Sequence, residues 1–394
     1  MGFSLVSSTQ SAPVADVCGE SHRPLVVRFG ALGDMVILTV LIRALHARFG
    51  QPVDVIGAGR YCWELLEGQP GVGEVLYLNS RRVPYWINEP KKAIVRALRA
   101  RGVGPAWWGQ SNDANGLELL ARAGWTEEWI ARAGNFPGLH DPDGGDIAFS
   151  DLFFKFAEFD PPALAASGWA QRPVPPHVEP IPELRVSPAM REDVQRWLAG
   201  LGLESTPLIL VQAGNKRTMR SRLRPHNRPS NTKYWPEAHW AQVLRGLRAQ
   251  HPKHALLLLG VPNEASLNDS ILELAQVDRA YNVAHDLPLR RLMALAERAT
   301  GMLSVDTGPA HVAAALGCSL VVLFGKAKID LYCPRGRGAR VRALAGRVNG
   351  EQDIAGIHPD DVLDAWLAVA GDDCTRERPG ALSVGAAAAP VEHA

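Results

Sequence analysis

Apolar positions along this chain fall into two separate series. Short β-branched or leucine-rich runs alternate with helical patterns, first as LVVRF (25–29), VDVIG (53–57) and EVLYL (74–78). A second series follows as LILVQAG (208–214), ALLLLG (255–260), AYNVA (280–284), MLSVD (302–306) and LVVLFG (320–325). Buried runs of this length separated by helical segments predict parallel sheets with crossover helices, twice over. Between the series lies RPVPPHVEPIPELRVSP, residues 172–188. Prolines at that density cannot continue a helix or a central strand, so the segment reads as an extended linker. The fold class is α/β, with two doubly wound domains and a cleft between them. In such sheets ligands sit beyond the carboxyl ends of the strands. The predicted layout is a flexible lead (1–23), a first domain (24–171), the linker (172–188), a second domain (189–352), a terminal helix (353–373) and an alanine-rich tail (374–394) that reads as disordered.

Composition narrows the chemistry. The chain has 394 residues, 46% of them apolar and 21% charged, which is globular usage. Its 42 basic and 41 acidic residues nearly cancel, so nothing global favours a nucleic acid partner. Five cysteines (Cys18, Cys62, Cys318, Cys333, Cys374) are scattered without metal-ligand spacing, which predicts reduced thiols, a cytoplasmic setting and no metal. The first residues lack a basic leader, and the most apolar stretch, Met35–Leu45, is broken by Arg43. The reading is a soluble protein that can still touch the inner membrane face peripherally.

The first strand leads into RFGALGDMVILTVLIRAL, residues 28–45. Its turn has neither the G-x-G-x-x-G of a dinucleotide fold nor a P-loop. Instead Asp34 stands at the helix entrance, where a carboxylate suits either a helix cap or a proton acceptor at the cleft. Missing fingerprints in both domains also disfavour an NAD oxidoreductase.

The second domain carries SVDTGPAHVAAALG, residues 304–317. A strand ends at Asp306, Gly308 permits a tight turn, Pro309 suits a helix start, and small residues leave the helix amides approachable by a pyrophosphate. Thr307 adds a hydroxyl; Asp306 or Thr307 also suits a plain helix cap. Lys233 precedes a proline-initiated helix and closes a stretch, Asn215–Lys233, that contains Lys216, Arg217, Arg220, Arg222, Arg224 and Arg228 and no acid. That one-sign density favours a phosphorylated or carboxylated ligand over RNA, because no aromatic platform is interleaved with it. Glu264 follows the strand run 255–260, and its carboxylate suits either ribose hydroxyls or a first helical turn. DPDGGD (141–146) contains a literal D-x-D but reads as a surface turn, not a metal site. Trp107 and Trp108 suit a sugar-stacking platform or, as tryptophans more commonly do, the core. A basic stretch, residues 79–102, follows another strand end and includes Arg81, Arg82, Lys91 and Lys92.

Together, D-T-G-P-A-H-V-A-A-A-L-G with a following L-F-G, K-x-W-P-x-x-x-W, and an early strand-turn ending in G-D resemble glycosyltransferase family 9, the lipopolysaccharide heptosyltransferases. The resemblance spans roughly Leu25–Ala370. It implies the GT-B architecture, two Rossmann-like domains facing across a cleft, with the nucleotide-sugar donor, typically ADP-heptose, on the second domain and the acceptor on the first. It also implies inversion without metal or other cofactor. By that resemblance Asp34 is the catalytic base, Lys233 contacts donor phosphates, and Glu264 reaches the ribose. Asp306, Thr307, Gly308 and His311 form the donor motif, with a structural role for His311 as the alternative. Arg81, Arg82, Lys91 and Lys92 are then candidates for an anionic glycolipid or glycan acceptor, or a solvated helix face. Where family members carry a D-x-Q-G-like segment this chain has WWGQSNDANG (107–116), and its Gly214–Lys233 loop is long. Two other classes stay open: a 2-epimerase or nucleotide-sugar hydrolase, and a non-catalytic binder of nucleotide or anionic polymer.

Overall fold

The computed structural model describes residues 23–80, 82–109, 114–135, 147–166, 172–215 and 231–370. The first sheet contains β1 (Leu25–Val27), β2 (Val53–Ala58), β3 (Val72–Leu78), β4 (Ala106–Trp108) and β5 (Ile130–Arg132), in the order β3-β2-β1-β4-β5. The second contains β6 (Leu208–Gln212), β7 (Ala255–Leu258), β8 (Ala280–Asn282), β9 (Gly301–Val305), β10 (Leu320–Phe324) and β11 (Val341–Ala345), in the order β11-β10-β9-β6-β7-β8. All pairings within these two sheets are parallel.

Each strand run anticipated from the pattern forms a strand. Three strands of these two sheets lacked a signal. β4 is Ala-Trp-Trp, β5 is Ile-Ala-Arg, and β11 is an edge strand of sequence VRALA whose residues are all exposed or half-buried. None has the β-branched run on which the prediction rests. Trp107 and Trp108 lie in the core of the first domain, and the Trp107 indole donates to Phe159 O at 3.0 Å.

Strand order reverses between β1 and β4 in the first sheet and between β6 and β9 in the second. A crevice opens at such a switch point, because the connections on either side leave in opposite directions. The chain leaving β1 enters helix Leu32–Phe49, and the chain leaving β9 enters helix Gly308–Ala315. The first of these is buried on most of its circumference, which explains its nearly unbroken apolar sequence. It packs against helix Phe149–Phe156 on one side and helix Gly308–Ala315 on the other, so one apolar cluster continues from the first domain into the second.

The proline-rich segment is extended, and it is also packed. Val174, Val178, Leu184 and Val186 are buried, and Leu184 N donates to Ala315 O at 3.1 Å. Gln69 accepts from Arg185 N at 2.7 Å and donates to Arg185 O at 2.9 Å. Its start is pinned by the buried Arg48, which donates to Arg172 O and Ala157 O and pairs with Asp160. Prolines suit such a strap because they bring fewer N–H groups that burial must satisfy. Cys62, Cys318 and Cys333 are free thiols; Cys18 and Cys374 lie outside the described residues. No helix among the described residues is long and apolar enough to cross a membrane.

Candidate functional site

The two switch points face each other through the entrances of their following helices. Gly33 touches His311: a Cβ at Gly33 would stand 2.8 Å from His311 Cδ2. Reciprocally, a Cβ at Gly308 would stand 2.7 Å from Leu32 Cβ. Any larger side chain at either position forces the two helix N-termini apart, so these glycines set the closeness of the domains.

On the first-domain side, Asp34 sits in the opening turn of its helix. Its Oδ2 accepts from Ala31 N at 2.7 Å and its Oδ1 from Arg28 Nη2 at 3.1 Å. The side chain keeps 35% of its surface exposed, and each oxygen retains a second lone pair. Arg28 is held in turn by the carbonyl of Gly109, at the end of β4, and lies over the Phe153 ring at 5.5 Å. The Tyr61 hydroxyl donates to Gly30 O and fixes the turn between. No motif marks Arg28, although it immediately follows the apolar run of β1. Its link across the switch point depends on β4, which the pattern did not reveal.

On the second-domain side, Lys233 Nζ donates to Asp306 Oδ2 at 2.5 Å and to Asp306 O at 2.9 Å. Asp306 is buried, whereas the Lys233 side chain is 33% exposed. Asn215 and Asn231 tie together the chain flanking residues 216–230: Asn231 Nδ2 donates to Asn215 Oδ1 at 3.2 Å, and Asn215 Nδ2 to Lys233 O at 3.3 Å. The arginine-rich residues 216–230 lie outside the described residues, as do DPDGGD and Arg81.

Thr307 is the N-cap residue by position, but its hydroxyl donates to Val305 O at 3.1 Å and makes no cap hydrogen bond. Gly308 and Pro309 are the first two helical residues, so proline occupies the second position, one later than anticipated. The opening amides of this eight-residue helix therefore have no side-chain acceptor. His311, one turn in, is buried between the halves. Burial holds its pKa below the usual imidazole range; Asp306 and Asp34 pull upward, and Lys233 adds to the lowering. The ring thus feels both carboxylates and the lysine.

Glu264 lies at the end of the second domain's crevice, buried beside Gly214 and Gly260. Its Oε2 accepts from Val261 N at 3.1 Å, as a first-turn carboxylate does, and from Gln212 Nε2 at 3.4 Å. Burial raises its pKa, and these two donors partly offset the rise. The basic candidates are dispersed along one surface. Arg82 is exposed, Lys91 is buried, and Lys92 pairs with Glu89 at 2.8 Å on the surface of helix Glu89–Arg101.

Two parallel doubly wound sheets, opposed at their switch points with a carboxylate on one side and a lysine-backed helix N-terminus on the other, give the chain the GT-B architecture. Residues 223–345 match the signature described as "Glycosyltransferase family 9 (heptosyltransferase)". Lipopolysaccharide heptosyltransferase 2 of Salmonella typhimurium is 25% identical over 330 residues, covering 81% of this chain and 87% of that relative. Among solved structures, Escherichia coli ADP-heptose lps heptosyltransferase II aligns with a TM-score of 0.64 at 22% identity, over 88% of this chain and 98% of the other. A family 9 glycosyl transferase of Veillonella parvula aligns with a TM-score of 0.67 at 15% identity, over 88% and 97%. The chain is thus similar to glycosyltransferase family 9 over residues 223–345, and its fold is that of the heptosyltransferases.

Proposed function

We propose that the protein transfers a heptose from ADP-heptose, with inversion and without a metal, to an inner-core sugar of lipopolysaccharide on the cytoplasmic side of the inner membrane. The observation that carries this reading is the gathering of Asp34, Lys233 and Asp306 around buried His311 where the two switch points meet. The relatives' names support the donor and acceptor: one is a lipopolysaccharide heptosyltransferase, and another solved structure is titled an Escherichia coli heptosyltransferase with ADP.

In this mechanism the acceptor hydroxyl donates to the outer lone pair of Asp34. As its oxygen attacks the anomeric carbon, the proton passes to that carboxylate, and the bond from the anomeric carbon to the diphosphate breaks on the opposite face. Attack and departure on opposite faces invert the centre. Arg28 and Ala31 N hold Asp34 in one orientation, so little reorganisation accompanies proton transfer. Lys233 spends two of its three donors on Asp306, leaving the third for a departing phosphate oxygen. The Gly308 amide, which no side chain caps, and the helix N-terminus behind it face the pyrophosphate, and together with Lys233 they supply the positive field that a metal supplies elsewhere. Asp306 fixes the lysine while Thr307 and Gly308 shape the turn. Glu264 meets the ribose, and Arg81, Arg82 and Lys92 are the basic set on the acceptor side; Lys91, although in the same stretch, is buried and is not part of it.

The test is turnover of ADP-heptose with heptose-deficient lipopolysaccharide in a chelator. Wild type turns over, and Asp34→Asn loses about a thousandfold in kcat. A variant within tenfold of wild type removes Asp34 as the base; activity that needs added divalent metal removes the metal-free mechanism.

A further inference from the structure

Between the end of β3 and helix Glu89–Arg101 the chain makes one tight turn, Tyr85–Ile87. The turn is held from beneath. Asn88 accepts from Lys91 N at 3.1 Å and donates to Ser80 O at 3.3 Å, and Arg122 stacks on the Tyr85 ring at 4.2 Å. Tyr85 is thereby drawn inward, and the next two side chains are turned out: Trp86 is 72% exposed and Ile87 55% exposed. Trp86 is the most exposed large apolar side chain among the described residues. Leaving a tryptophan and an isoleucine in water on a fixed turn gives the fold nothing.

The charge around this tip is one-sided. Residues 79–102 carry Arg81, Arg82, Lys91, Lys92, Arg96, Arg99 and Arg101 against a single acid, Glu89. Lys91 is buried and Arg101 is half-buried and paired with Asp54, but Arg82, Arg96 and Arg99 are exposed and Lys92 is half-buried. Tryptophan settles at the headgroup level of a bilayer, and nearby cations are attracted to anionic headgroups. Two apolar side chains are too small an area for a stable protein interface but suffice, with such cations, for reversible membrane contact.

We propose that Trp86 and Ile87, flanked by these cations, are the element by which the protein docks on an anionic lipid bilayer. The proposal deepens the lipid-linked acceptor reading and rests on it for its purpose: the turn leaves the carboxyl end of β3, the side of the first sheet on which Asp34 lies.

Co-sedimentation with vesicles of phosphatidylglycerol and phosphatidylcholine, and of phosphatidylcholine alone, at low and high salt tests this. Wild type is expected to bind the anionic vesicles at low salt and release at high salt. Trp86→Ser/Ile87→Ser lowers partition by about tenfold or more, and Arg96→Glu lowers it at low salt only. Both variants keep the wild-type melting temperature and ADP affinity. Absence of wild-type binding, or unchanged binding by the double variant, overturns the proposal. So does lipid-free self-association that the double variant abolishes, which would assign the patch to a second copy of the chain. A wild type that binds vesicles but not ADP would sink the donor reading and leave the docking surface standing.

Discussion

The two halves of the cleft are built differently. The second-domain half, read as the donor side, draws its groups from a sheet whose β6, β7, β9 and β10 are buried along their whole length, and it holds them by polar contacts: Lys233 to Asp306, Glu264 to Gln212, Asn231 to Asn215. The first-domain half, read as the acceptor side, rests on a sheet with three-residue strands at β1, β4 and β5; of its basic candidates Arg82 precedes helix Glu89–Arg101, Lys91 is buried in it and Lys92 lies at its surface. A diphosphate is small and fixed, so a few convergent groups on buried strand ends recognise it. A charged glycan needs a broad surface, where single cations carry little.

That contrast predicts unequal sensitivity. Arg28→Ala frees Asp34 on one side and is expected to reduce kcat by about a hundredfold while ADP affinity stays within twofold, with Arg28→Lys recovering part of the loss. Steady-state kinetics beside ADP titration checks it; parallel loss of ADP affinity would mean that the arginine supports the whole cleft and not the base. Gly308→Val pushes Leu32 away and is expected to cost about 1–3 kcal/mol of stability together with activity, read by urea unfolding and turnover. An unperturbed variant would show that the halves do not need this approach.

A smaller effect concerns pH. Burial, with His251 and Arg248 nearby, pushes the His254 pKa down to about 4. Its folded value lies below its unfolded one, so its contribution is whole above the unfolded value near 6.5 and is lost as pH falls toward 4. Wild type should lose on the order of 2 kcal/mol across that window that His254→Asn does not lose, measured by urea unfolding at both ends. Equal losses would place the acid sensitivity elsewhere. At the bottom of the scale, Lys92→Ala should change stability by no more than about 0.5 kcal/mol, since its ion pair is at the surface. A several-fold rise in acceptor KM in that variant would give the lysine an acceptor role, and an unchanged KM leaves it a solvated helix residue.

The same contrast governs how much could be read in advance. Asp306 and Glu264 follow long apolar strands, so periodicity alone placed them near strand ends, while their proposed donor role and that of Lys233 came from the resemblance. Asp34 was visible for the same reason. Arg28 was not, because its meaning comes from Gly109 and Phe153, which reach it through β4 and through helix Phe149–Phe156. Gly308 was legible as a turn residue, but neither it nor Gly33 as the contact between domains, which exists only in three dimensions. The linker's extension followed from its prolines; its burial did not, since packing depends on Gln69, Arg48 and Ala315 from elsewhere. On the acceptor side, charge pattern could not separate buried Lys91 from paired Lys92.

The most direct test of the donor half is calorimetric titration of the protein with ADP, UDP and GDP in a chelator, repeated with Lys233→Ala. ADP-selective binding that survives the chelator and weakens by about tenfold or more in the variant is the predicted result. Binding that requires divalent metal, or that is indifferent to the loss of Lys233, would contradict it.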